Sequence, residues 1–164
     1  MLKPILILCL GNEIISDDGF GAVVARRLTD AGKLPETVEV IFAPLAGFAL
    51  LDHLAGRARV LIIDTIRTWY AAPGTLHKFA ARLFTPSKHL TTSHQISLPT
   101  ALELGRQLGL DMPEDVDIIA VEAVNLETLS EQLTPSVQAA VDKAVRFVSD
   151  WISRSTIEEM THAN

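Results

Sequence analysis

The chain has 164 residues, 48% hydrophobic and 21% charged, with 20 acidic and 14 basic side chains and a net charge of −6. A chain of this length makes about one domain and buries roughly 68–70% of its unfolded surface, so it needs neither a disulfide nor a structural metal to hold a core. The composition excludes a disordered chain, the acidic balance argues against a module that binds nucleic-acid backbone, and a single cysteine excludes an internal disulfide and a cysteine-based zinc site.

Ile5 to Leu10 is an unbroken apolar run closed by Gly11-Asn12. That pattern predicts a strand buried on both faces, as in a parallel sheet. The run is too short to span a membrane and no small-residue cleavage site follows it, so the expectation is a soluble cytoplasmic protein with no membrane partner. After an acidic loop, Phe20, Val23, Val24 and Leu28 recur at helical spacing until Gly32. Val38 to Phe42 reads as a second strand, Phe48 to Leu54 as a short helix stopped near Gly56, and Val60 to Ile63 as a third strand ending in Asp64.

Ala72-Pro73-Gly74 is a turn, and Thr75 to Phe79 after it is a weaker strand, placed antiparallel at an edge by so short a connection. Thr85 to Ser93 is polar and irregular. A helix starts near Ser97 to Pro99 and runs to about Leu108, and Val116 to Val121 is the last strand. Thr134-Pro135 is a cap and a first-turn proline. The apolar face behind it runs through Val137, Val141, Ala144, Val145, Val148 and Ile152. Residues 153–164 are polar and are expected to fray, leaving one domain over residues 1–152. Strands alternating with helices predict a three-layer α/β sandwich, with a mostly parallel five-stranded sheet and helices on both faces.

In such sheets, ligands bind beyond the carboxyl ends of the strands, at the point where strand order reverses. The first strand leads into Gly11-Asn12-Glu13-Ile14-Ile15-Ser16-Asp17-Asp18-Gly19-Phe20-Gly21, and the third ends at Asp64-Thr65. If these strands are neighbours, their carboxylates face one crevice. Thr91-Thr92-Ser93-His94-Gln95 then offers an imidazole just before a helix. Two carboxylates and one imidazole suit a divalent ion such as Ni, Zn, Mn or Fe(II). Each residue also has a plainer reading. Asp17 or Asp18 can cap the helix that begins at Gly19, Asp64 can be a turn residue, and His94 can be a hydrogen-bonding residue at a helix start. His89 is the rival imidazole in the same segment, whereas His53, His77 and His162 read as solvated or packed and Cys9 as a core residue. The glycines of the first loop lack the dinucleotide-binding spacing, the loop has no lysine, and its acids repel phosphate; no G-x-S-x-G occurs either.

Taken together, these segments resemble the nickel-iron hydrogenase maturation endopeptidases. The resemblance rests on the G-N-x-(two apolar)-S-D-D-G-x-G loop, on Ile63-Asp64-Thr65 with Ala72-Pro73-Gly74-Thr75, and on Ser93-His94-Gln95. Ala46-Gly47 and Leu133-Thr134-Pro135 add to it, so that it runs from about residue 4 to residue 150. It implies a twisted sheet covered by helices on both faces. It also implies an enzyme that removes a C-terminal extension from the hydrogenase large-subunit precursor once nickel has been inserted. Asp18, Asp64 and His94 fall on the family's nickel-contacting positions, which makes them the catalytic and metal-contacting set. Ni2+ is then presented by the substrate, and Asp17 caps the helix and orients the loop. The chain departs from the pattern at Ala120-Val121-Glu122-Ala123, where the family often has Gly and, three residues on, Pro. The residues also leave open a peptidase with its own Zn or Mn, a non-cleaving nickel-sensing module, the oligomeric state, and whether nickel or a carboxylate activates the water.

Overall fold

The computed structural model describes residues 2–45, 47–81 and 98–162, with side chains as far as Arg154. In chain order the elements are β1 (Ile5–Leu10), α1 (Phe20–Asp30), β2 (Val38–Ala43), a 3-10 turn (Gly47–Leu50) running into α2 (Leu51–Leu54), β3 (Arg59–Ile66), β4 (Leu76–Ala80), α3 (Leu98–Gln107), β5 (Asp115–Glu122) and α4 (Pro135–His162). A further 3-10 turn, Ser16–Gly19, leads into α1.

The strands form one sheet in the order β2-β1-β3-β5-β4. β1 pairs in parallel with both β2 and β3, and β3 pairs in parallel with β5, so three central strands have neighbours on both sides. This is why β1 and most of β3 read as continuous apolar runs: the sheet has helices on both faces and no side chain alternates into water. β4 pairs antiparallel with β5 at the edge, as the short turn before it implies.

The two faces bury different sets of residues. Ile5, Ile7, Cys9, Leu61, Ile63, Ile119 and Val121 pack under α1 and α4, whose Phe20, Val24, Val141, Ala144 and Val148 complete that layer. Leu6, Leu8, Leu10, Val60 and Ile62 pack against Leu51 and Leu54 of α2 and Ala101 and Leu102 of α3. Each fully buried aliphatic side chain contributes about 1.5–3 kcal/mol. The Cys9 thiol is fully buried, and burial pushes its pKa up, so it stays a thiol and serves as packing.

Two expectations need correction. β3 does not stop at Asp64: it continues through Thr65 to Ile66, because β5 offers Ala120, Val121 and Glu122 as ladder partners that far. The polar stretch expected to fray from residue 153 is helical as far as His162, since α4 simply propagates its backbone bonds beyond Ile152, the last buried side chain among those described. Among the described residues no helix is long and apolar enough to cross a membrane.

Candidate active site

The chain leaves β1, builds β2 on one side of it, and returns to place β3 on the other. Strand order therefore reverses between β1 and β3, and the crevice beyond their carboxyl ends is the natural ligand position. Asp18 and Asp64 both lie there, and both are buried, each 5% exposed.

Thr65 joins them. Its backbone N–H donates to Asp64 Oδ1 at 2.8 Å, and its hydroxyl donates to Asp18 Oδ1 at 3.1 Å. One fully buried residue therefore orients two carboxylates that are 46 positions apart in the chain. Asp18 Oδ2 accepts no hydrogen bond among the described residues. His94 and its rival His89 lie outside the described residues. Among those residues no three His, Cys, Asp or Glu side chains gather closely enough to hold a metal ion, so two of the three expected donors are in view.

The loop that delivers Asp18 is tightly built. Asn12 N–H donates to the Asp18 carbonyl at 3.1 Å, and Asp18 N–H to the Ile15 carbonyl at 2.9 Å. This folds the loop back onto Gly11, whose φ of +136° and lack of a Cβ are both required. A Cβ there would overlap the Asp18 carbonyl oxygen. Ser16, with φ of +37°, holds a left-handed backbone that a serine adopts only at a cost, and it is kept there by its N–H on the Ser130 carbonyl at 2.7 Å.

Asp17 is not a helix cap. No side chain caps the Ser16–Gly19 turn or α1. The Asp17 carboxylate instead points to the loop after β5, where it accepts the N–H groups of Val124 and Asn125 (both 2.9 Å), the Thr134 N–H (2.7 Å) and the Thr134 hydroxyl (3.0 Å). The reason is satisfaction of donors: three backbone N–H groups of an irregular loop need acceptors, and a fully buried carboxylate with two oxygens supplies them. Asp17 does orient the acidic loop, as expected, by tying it to the start of α4.

A fourth buried acid has no role in the spacing of the sequence. Glu122, at the end of β5, accepts from Thr68 N–H (2.7 Å), Thr68 hydroxyl (2.8 Å) and Trp69 N–H (3.1 Å), and pairs with His77 Nε2 at 2.9 Å. It fixes the turn that follows β3, and His77 is packed, as its position predicts. The only sequence signal was the chain's departure from the family pattern at these residues. Burial pushes the Glu122 carboxyl up, but the Thr68 hydroxyl and N–H, the His77 ring and the Trp69 N–H outweigh it, so its pKa lies below the ordinary 4.5. A carboxyl depressed by folding stabilises fully above its unfolded pKa, and that stability is lost as pH falls through the folded value. The stability gap between the parent and Glu122→Gln is therefore expected to be full at about pH 5 and to shrink towards about pH 3. Melting curves at the two pH values check this, and a gap that fails to narrow contradicts the hydrogen-bonded anion.

Comparison with known proteins agrees with this architecture. A family model described as hydrogenase maturation protease (HycI) matches residues 22–151. The hydrogenase 2 maturation protease of Escherichia coli strain K12 is 30% identical over 158 residues, covering 94% of this chain and 93% of that one. The hydrogenase expression/formation protein HupD of Rhodobacter capsulatus is 26% identical, over 91% of this chain and 74% of its own. Among solved structures, the hydrogenase maturating endopeptidase HybD from E. coli superposes with a TM-score of 0.77 at 29% identity, covering 92% of this chain and 93% of that one. The [NiFe] hydrogenase maturation protease HybD from Thermococcus kodakarensis gives 0.69 at 27%, over 90% and 98%. With most of its length matched by the family model and by a relative at 30% identity, the chain belongs to the hydrogenase maturation proteases and is an endopeptidase of that family.

Proposed function

We propose that this endopeptidase removes the C-terminal extension of a nickel-iron hydrogenase large-subunit precursor after nickel insertion, and that Asp18, Asp64 and His94 grip the nickel the precursor brings. The observation that carries this reading is the meeting of Asp18 and Asp64 on the two donors of Thr65 at the β1/β3 switch point. Two carboxylates held close together repel one another until a cation arrives between them. A precursor without nickel brings no such charge, so the metal acts as the element by which a finished substrate is recognised. Carboxylate and imidazole donors suit a divalent first-row ion. Held by these residues, the ion would supply Lewis-acid chemistry to the hydrolysis.

The chain's own residues supply position. Thr65 holds one oxygen of each carboxylate, and Asp18 Oδ2, which has no hydrogen-bond partner among the described residues, faces the incoming ion or the proton of an attacking water. Asp17 and Glu122 fix the loops on either side, so the carboxylates meet the substrate without first being ordered.

Mass spectrometry tests the reading. Nickel-loaded precursor mixed with the protein is expected to lose the mass of its extension, while nickel-free precursor keeps its full mass. Equal shortening of both overturns nickel as the recognition element. No shortening of loaded precursor overturns the substrate assignment. Loss of activity when the protein alone is treated with a chelator points instead to a resident metal.

A further inference from the structure

Beside the paired carboxylates stands a set of large side chains that the chemistry does not use. Trp69 is 80% exposed, Tyr70 97% and Leu129 77%, and Ile14 and Val124 are about half exposed. They come from the three loops that frame the site. Trp69 follows Asp64 by five residues and so lies at most about 18 Å from it along the chain. Ile14 precedes Asp18 in the acidic loop, and Ser130, next to Leu129, donates its N–H to the Ile14 carbonyl at 3.0 Å. Arg67 closes the set: its guanidinium lies 5.0 Å from the Trp69 ring centroid and donates to the Val124 carbonyl at 3.0 Å and to Glu127 at 3.1 Å.

These residues are exposed but not loose. Trp69 has φ of +65°, a left-handed backbone that a bulky residue adopts only when its surroundings enforce it. The enforcement comes from Glu122, which is 2% exposed and holds the N–H groups of Thr68 and Trp69, while Tyr70 N–H bonds to the Thr68 hydroxyl at 3.2 Å. A strained, rigid turn that lifts two aromatic rings into water gains the fold nothing. It is what a preordered recognition surface requires, and Trp, Tyr and Arg are the residues that dominate such contacts.

We propose that Trp69 and Tyr70, with Leu129, Ile14 and Val124 around them, form the docking surface for the body of the hydrogenase precursor, next to the carboxylates that meet its metal. This rests on the functional reading above. α4 leads away from this surface: it begins beside Asp17 at this end of the sheet. Its 28 residues carry it about 42 Å away, past Trp151 on Asp117 near the far end of β5. The three loops carry both the rings and the acids, so a precursor whose metal reaches Asp18 and Asp64 must lie across them.

The test uses the double variant Trp69→Asn/Tyr70→Ser, since asparagine tolerates the left-handed backbone and keeps the turn intact. Against intact nickel-loaded precursor, KM and the dissociation constant are expected to rise at least ~30-fold. Turnover at saturating precursor should hold, and the melting temperature should not move. Trp69→Phe/Tyr70→Phe should restore most of the affinity. If the parent shortens the precursor and the double variant does so with the parental KM, the docking surface is wrong while the functional reading stands. If the parent does not shorten it, the functional reading fails, and the docking surface is judged by binding alone; equal binding by parent and variant, or none by either, overturns it. If the parent sediments as a dimer that the double variant splits, the surface joins two copies of this chain and the precursor assignment is overturned.

Discussion

Asp18→Asn and Asp64→Asn are each expected to lower cleavage of nickel-loaded precursor at least ~1,000-fold while leaving the fold intact, because groups that act as one unit lose most of their effect when any member is removed. Asparagine keeps the acceptor oxygen in both cases, so Thr65 can still donate its hydroxyl at position 18 and its N–H at position 64. What disappears is charge, and with it the grip on a cation. The double variant should be little worse than either single one. Removing one of two neighbouring carboxylates also removes their repulsion, so melting temperatures should stay level or rise slightly. His94→Gln belongs with them under the same proposal, and His89→Gln is the control. Precursor cleavage measured beside thermal melting gives the answer. Parental cleavage by both aspartate variants would remove the acids from the mechanism. Parental cleavage by His94→Gln, with loss in His89→Gln, would exchange the two histidines.

That Asp18 and Asp64 lie together was legible in the sequence for a physical reason. Asp64 closes one apolar run and Asp18 lies in the loop that follows another; such runs suit doubly covered strands, and parallel sheets gather their ends into one crevice. The roles of Thr65, Asp17 and Glu122 were not legible. The partners of Asp17 lie 107, 108 and 117 residues away, and all but one of the donors are backbone N–H groups, which every non-proline residue carries and no spacing reveals. A helix cap is the local use of an aspartate, and local uses are the only ones a linear pattern shows. The Trp69-Tyr70 pair is likewise not legible in the sequence. Its meaning comes from exposure and a left-handed backbone, and neither leaves a periodicity. The edge strand fared better: the stretch between β3 and β4 holds no crossover helix, so β4 runs opposite to β3 and therefore to β5, which is parallel to β3.

Asp17→Ala is expected to be the most destabilising single change in the site, at about 3–5 kcal/mol, because it removes four hydrogen bonds made to one buried carboxylate. The alanine would strand the N–H groups of Val124, Asn125 and Thr134 together with the Thr134 hydroxyl, at part-buried positions around a carboxylate that is itself fully buried. For a chain of this size, that loss lowers Tm by roughly 6–20 °C. Asp17→Asn should cost less, about 1–3 kcal/mol. Its single oxygen can take the three donors now on Oδ2, but its amide then faces the Thr134 N–H, donor against donor. The contrast with the next residue is the informative part. Asp18→Asn should silence the enzyme and spare the fold, whereas Asp17→Asn should weaken the fold and, below its melting range, leave much of the cleavage. Paired melting and cleavage assays separate the two. An Asp17→Ala protein that melts within about 2 °C of the parent would mean that the Asp17 bonds to the loop after β5 do not hold the site together.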